Sequence, residues 1–168
     1  GAGAGAGISD AAYAAAGVTV VKTAAALFKE ADVVAKVRPP SEAEAKKLRQ
    51  GQTLISFFYP AQNKDLLDTC NKQGATVIAM DMVPRISRAQ NLDVLSSQSN
   101  LAGYKAVLDA ADHYPRAFPM MMTAAGTVSA ARVFVMGVGV AGLQAIATAR
   151  RLGAQVSATD VRSATKEQ

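Results

Sequence analysis

Tryptophan is absent, aromatic residues make up only 5% of the chain, and there is one cysteine and one histidine. A lone Cys70 excludes an internal disulfide framework and fits a reducing compartment. With His113 as the only imidazole, no Cys/His set is available for zinc. Charged residues are sparse at 18% against 50% hydrophobic, too few for a disordered chain and enough apolar material for a core. The longest uncharged stretch, Val133 to Ala149, runs 17 residues and is broken by three glycines. It is too short and too interrupted for a bilayer span, so no direct membrane insertion is expected. The excess of 18 Lys+Arg over 13 Asp+Glu is scattered rather than clustered, which argues against nucleic acid as a partner. No basic leader is visible in the opening run from Gly1 to Gly7, where Gly and Ala alternate, and the natural N-terminus is expected upstream.

What the chain has instead is Ala, Val and Gly in short apolar runs that alternate with helical stretches, the pattern of a parallel sheet with crossover helices. Strands are expected at Val18–Val21, Asp32–Val37, Thr53–Tyr59 and Ala75–Met80, with helices from Thr23 to Glu30 and Asn63 to Lys72. Ser41 followed by Glu44 reads as a capping box and starts a helix running to about Arg49, before Gly51. Residues from Met82 to Ser97 have no clean period and read as a functional loop. Leu101, Tyr104, Leu108 and Ala111 then share one face of a helix that ends before Pro115 and bridges two domains. A strand at Arg132–Met136, a glycine turn, a helix from Gly142 to Leu152 and a strand at Gln155–Thr159 close the chain. The expected class is α/β, with two doubly wound, Rossmann-like parallel-sheet domains. A full domain of this kind has about six strands, so both are expected to be incomplete within these residues. The expected division is 1–96 and 97–168.

Gly137-Val138-Gly139-Val140-Ala141-Gly142 follows an expected strand and opens an expected helix. The first glycine permits the tight turn, the second lets the backbone approach a pyrophosphate, and the third lets helix and strand pack closely. N–H groups of Val138, Gly139 and Val140 are expected to meet the phosphates at the positive end of the helix dipole. Asp160 lies 18 residues after Gly142, close to the spacing at which an acid accepts from a ribose hydroxyl. Together these point to dinucleotide binding. The N-terminal glycine run lacks the Lys-Ser/Thr of a phosphate loop and reads as a flexible connection to a helix capped by Ser9 or Asp10. Lys36 is expected to stretch to solvent, and Cys70 and His113 to lie on helix surfaces or half-buried faces without nearby partners. In the polar loop, Arg85 and Asp93 are placed for an ion pair, and Gln90 projects an amide able to donate and accept.

The segments Pro84-Arg-Ile-Ser-Arg-Ala-Gln90, Asp93-Val-Leu-Ser-Ser97, Asn100-Leu-Ala-Gly-Tyr-Lys-Ala106, Thr123-Ala-Ala-Gly126 and Gly137-Val-Gly-Val-Ala-Gly-Leu143 together resemble the NAD(H)-binding component of the proton-translocating NAD(P) transhydrogenases. The likeness runs through the whole chain. It implies two doubly wound domains beside a cleft, and hydride transfer from NADH to NADP+, with NADP(H) carried by a partner component, coupled through membrane-spanning components to proton movement. It also implies a homodimer at the cytoplasmic face of the bacterial inner membrane. By the family pattern Arg85 and Ser96 orient the nicotinamide half, Asp93 holds Arg85, and Gln90 reaches the nicotinamide ribose and the facing nucleotide. Asp160, Val161 and Arg162 match positions around the adenosine ribose.

The fold is shared with alanine dehydrogenase, which the chain resembles at Lys36 in Ala35-Lys-Val-Arg-Pro-Pro40. That enzyme needs a catalytic histidine soon after the following strand, and Phe57-Phe-Tyr-Pro-Ala-Gln-Asn63 supplies none. A third reading is a truncated, non-catalytic nucleotide-binding fragment. Taken alone, the segment is expected to be inactive and to bind NADH weakly or not at all.

Overall fold

The computed structural model describes residues 1–167. By packing, the chain divides into two compact units, Gly1–Val83 and Pro84–Gln168.

The first unit opens with α1 (Asp10–Ala15), whose N-terminus is capped by the Ser9 hydroxyl accepting from Ala12 N–H. Next come α2 (Ala24–Glu30), β1 (Val33–Ala35), α3 (Glu42–Ala45), β2 (Thr53–Ser56), α4 (Lys64–Lys72) and β3 (Thr76–Ala79). The strands form a parallel sheet in the order β1-β2-β3. Leu54 at the centre of β2 is fully buried with Phe28, Ala45, Phe58 and Cys70 in the core. Gln52 is buried too, and its amide donates to the carbonyls of Phe28 and Ala31, tying the end of α2 to the start of β2.

Several expectations need correcting. Val18 and Val20 are about half exposed and pair with no strand among the described residues, since β propensity alone does not make a strand. The Ser41–Glu44 capping box forms as read. Its helix stops at Ala45, however, where the chain turns to bury Leu48 and to let Arg49 donate to the Ala31 carbonyl. The strand expected to reach Tyr59 ends at Ser56, because Asp81 takes the N–H groups of Phe58 and Tyr59. Lys36 does not stretch to solvent; its ammonium lies 2.6 Å from the Glu44 carboxylate. Cys70 is fully buried rather than surface-lying, and burial pushes its thiol pKa up.

The second unit holds α5 (Val94–His113), β4 (Met121–Thr123), β5 (Gly126–Val128), β6 (Arg132–Met136), α6 (Val140–Arg151) and β7 (Gln155–Thr159). β6 and β7 pair in parallel and α6 crosses between them, while β4 and β5 form an antiparallel hairpin that the sequence reading lacked. The polar loop is more ordered than expected: Ser87–Leu92 is a 3₁₀ turn, and helix α5 already runs through Ser96 and Ser97. The expected apolar face of this helix is buried only in its second half, where Leu108 and Ala111 are half-buried and Ala111 packs against the core. Leu101 and Tyr104 are exposed, and Gly103 and Val107 point inward. Gly103 abuts α6 so closely that a Cβ there would run into the Ala141 carbonyl. His113, exposed, has its Nδ1 at 2.8 Å from the Asp109 carbonyl oxygen one turn earlier.

Candidate functional site

The site grows from the end of β6. Gly137 leaves the strand at φ +96°, a left-handed conformation that disfavours any side chain, and its N–H donates to the Thr159 carbonyl across the sheet. Gly142, one turn into α6, packs against that same bend: a Cβ there would collide with the Gly137 carbonyl. Gly139 differs, because nothing but the Arg162 guanidinium, 3.9 Å away, would meet a Cβ at that position. Its φ of −85° suits any residue. The protein's own packing therefore does not ask for glycine at 139, and the space beside it is open to a ligand. Gly139 also caps α6 without a side chain, leaving the first-turn N–H groups of a 12-residue helix without side-chain acceptors.

Asp160 follows β7 directly and lies beside this turn. Its side chain is 6% exposed and is held from four directions. Oδ1 accepts from the backbone N–H and Nε of Arg162 at 2.8 and 3.0 Å. Oδ2 accepts from the Val138 N–H at 2.7 Å and from Arg162 Nη2 at 3.0 Å. The hydrogen bonds and charge of Arg162, helped by the Val138 N–H, hold the carboxyl far below the usual carboxylate range, and the guanidinium is raised in turn. One expectation is thereby corrected: the Val138 N–H is not free for a phosphate, because Asp160 already uses it. Val161, next in sequence, is fully exposed.

At the other end, Asp93 caps α5. It accepts from the Ser96 hydroxyl at 2.6 Å and from the Ser96 N–H at 2.9 Å, and these bonds, more than the nearby charge of Arg85, lower its pKa. Among the described residues no ion pair joins Arg85 to Asp93. The carboxylate is committed to the helix start, which competes with a contact to the guanidinium. Gln90 and Arg85 are exposed and line a cavity of about 650 Å³ with Asp93, Ser96 and Val140.

That cavity shares Arg85, Ser96 and Val140 with a second, of about 590 Å³, whose walls are Ser99 and Gly103 of α5 and the glycine turn from Gly137 to Gly142. A third, of about 280 Å³, shares Met136 and Gly137 and ends on Asp160 and Val161. Shared walls make one track from Gln90, past the glycines, to Asp160, and volumes of this order suit small-molecule sites. All twelve residues singled out in the sequence, Arg85, Gln90, Asp93, Ser96, Gly137, Val138, Gly139, Val140, Gly142, Asp160, Val161 and Arg162, lie on or beside it. Sequence reasoning missed Ser99 and Gly103. A glycine inside a helical pattern signals close approach, so Gly103 was findable; Ser99 carries no such mark. Among the described residues no group of three or more His, Cys, Asp or Glu is placed to hold a metal. No helix among them is long and apolar enough to cross a membrane.

Comparison with known proteins shows the family and the fold. Residues 1–102 match the family described as alanine dehydrogenase/PNT, N-terminal domain, and residues 106–168 match its C-terminal domain. The chain is 61% identical over its full length to the NAD(P) transhydrogenase subunit alpha of Cereibacter sphaeroides, of which it covers 32%. It superimposes on the crystal structure of transhydrogenase from Sinorhizobium meliloti with a TM-score of 0.91 at 59% identity, covering 99% of this chain and 50% of that one. It is 35% identical over 96% of its length to the alanine dehydrogenase of Mycolicibacterium smegmatis, covering 44% of that protein. The chain thus spans half or less of the length of the relatives it matches.

Proposed function

The chain belongs to the alanine dehydrogenase/PNT family, and on that premise we propose that it forms the NAD(H)-binding part of a transhydrogenase. In this reading hydride passes between NADH held here and NADP+ held by a partner component, coupled to proton translocation through membrane-spanning components. The assembly is a homodimer of this part at the cytoplasmic face of the bacterial inner membrane, with residues 1–96 assigned to the first domain and 97–168 to the second. The observation that carries the reading is Gly139: a glycine that the protein's own packing does not need, on the wall of a cavity that shares residues with those lined by Gln90 and by Asp160.

Gly139, Val140 and Gly142 would cradle the pyrophosphate, with Val138 supporting the turn through Asp160. Asp160, Val161 and Arg162 would face the adenosine ribose. Arg85, Gln90, Asp93 and Ser96 would take the nicotinamide half. Bound there, the nicotinamide supplies or accepts the hydride directly, so the protein is asked for position rather than for an acid or base. The residues present fit that demand. Asp93 fixes the first turn of α5 and orients the Ser96 hydroxyl. Arg85 brings a cation with no ion-pair partner among the described residues to the same cavity. Gln90 stands on a 3₁₀ turn with its amide exposed to whatever faces it. Amino-acid oxidation is disfavoured, since Lys36 is paired with Glu44 and the stretch directly after β2, Phe57 to Asn63, holds no histidine.

The test pairs two measurements on the full-length protein and its NADP(H)-binding partner. Gln90→Asn shortens the amide's reach by one methylene, and a misplacement near 1 Å costs on the order of a hundredfold in rate, about 2.7 kcal/mol. Stopped-flow hydride transfer is expected to fall by that factor while the NADH dissociation constant stays put. An unchanged rate would remove Gln90 from the chemistry, and absence of NADH binding to the parent would remove the whole reading.

A further inference from the structure

We propose that Arg162 is a specificity latch on the adenosine end of the site: it fills Asp160 until a ribose 2′-hydroxyl displaces it, and its attachment to Asp160 denies it to a 2′-phosphate. The proposal rests on the nucleotide-binding reading above.

An ionised carboxylate has about four lone-pair sites, and all four of Asp160's are taken, two by backbone N–H groups and two by the guanidinium. A ribose hydroxyl can donate to this carboxylate only if one donor withdraws. The backbone donors of Val138 and Arg162 are fixed by the turn, whereas the Arg162 side chain is long and 60% exposed. The guanidinium is the group that yields. Its Nη2 also lies 3.4 Å from the Val138 carbonyl oxygen and 3.9 Å from where a Cβ on Gly139 would stand, so it covers the glycine turn as well as the acid.

The same pair discriminates. An arginine in this region is how such folds accommodate a 2′-phosphate, but here the guanidinium is already bound in two places to a carboxylate. A 2′-phosphate can recruit it only by stripping Asp160, a nearly buried anion, of its counter-ion while adding two negative charges beside it. A 2′-hydroxyl brings no charge and leaves part of the pair intact.

Two mononucleotides read this without turnover: 5′-AMP, which carries the free 2′-hydroxyl, and adenosine 2′,5′-bisphosphate, which carries the phosphate. Both are titrated calorimetrically into the full-length protein. Arg162→Met keeps the stem and removes the latch; 5′-AMP is expected to bind about threefold tighter, the strength of an exposed ion pair, and the bisphosphate no better than before. Asp160→Asn releases the guanidinium, and the ratio of bisphosphate to 5′-AMP affinity is expected to rise on the order of tenfold. That gain should vanish in the Asp160→Asn/Arg162→Met double variant. Weaker 5′-AMP binding by Arg162→Met would show that the arginine holds the nucleotide rather than blocking it, and would overturn the latch, as would Asp160→Asn without a gain for the bisphosphate. Should Asp160→Asn fail to fold, the Arg162→Met titration decides alone. If the parent protein binds neither mononucleotide, the nucleotide reading falls and the latch falls with it.

Discussion

The segments β2–α4–β3 and β6–α6–β7 are built alike down to single hydrogen bonds. After α4, Gly74 N–H donates to the Asn71 carbonyl and Ala75 N–H to that of Cys70; after α6, Gly153 donates to Arg150 and Ala154 to Ala149. Each second strand leads into an acid that reaches back to the turn after the first strand. Asp81 takes the N–H groups of Phe58 and Tyr59 at 2.6 and 3.0 Å, and Asp160 takes that of Val138 at 2.7 Å. The difference is what occupies the turn. In the first unit Phe58 is fully buried and the rings of Phe57 and Tyr59 stack 6.2 Å apart. In the second unit glycines stand there and the cavities open. One backbone frame serves twice, filled from within in one place and left open in the other. Emptiness of the second turn is therefore a property of its side chains and not of the fold.

The largest effect expected from this contrast lies in the filled turn. Phe58→Ala empties a fully buried ring position and should destabilise the protein by about 3–5 kcal/mol in denaturant titration. A loss under about 1 kcal/mol would mean that the ring is not what closes that turn, and the comparison would break.

In the open turn, two glycines separate structure from ligand. Gly142→Ala drives a methyl into the Gly137 carbonyl and should cost about 2–3 kcal/mol, because backbone has to move. Gly139→Ala meets only a flexible guanidinium end and should stay within about 0.5 kcal/mol of the parent. Yet it should weaken NADH binding on the order of tenfold by filling the approach to the phosphates. Equal stability losses at the two positions would erase the distinction on which the nucleotide reading rests.

How much of this was legible in the sequence follows from how local each determinant is. β6 and β7 fall at the expected residues because short apolar runs bounded by Gly need only their own pattern. The Ser41 capping box needs four residues and was found. Elements that depend on distant partners were misjudged. The run at Val18–Val21 has the composition of a strand and yet pairs with no strand among the described residues. The buried face of α5 is set by Gly103 against Ala141 rather than by the larger Leu101 and Tyr104. At the candidate site, the sequence named residues that line the cavities, but not their prior commitments. Asp160 was read as an acceptor awaiting a ribose, but its hydrogen bonds to Val138 and Arg162 are three-dimensional facts. So is the use of Asp93 by Ser96 in place of Arg85.

The smallest effect concerns one cation in each unit that is neutralised from within: Lys36 by Glu44 in the first, Arg162 by Asp160 in the second. The Lys36 hydrogen bond, followed by the Ser41 N–H, holds the Glu44 carboxyl below its usual range. A carboxylate depressed in the folded state contributes stability at neutral pH, and loses it as pH falls through the folded pKa. Both partners are about a quarter exposed, so the contribution belongs near the upper end of surface ion pairs, about 0.5–1 kcal/mol. Glu44→Gln should therefore lower stability by that amount at pH 7, and the gap to the parent should close as the pH falls below about 4, where carboxylates protonate. The amide still reaches the Ser41 N–H as an acceptor, so the cap persists and the charge alone is removed. A gap that stays constant down to pH 3 would assign the loss to helix capping and leave Lys36 unneutralised by Glu44. The resemblance between the two internal pairs would then end at geometry.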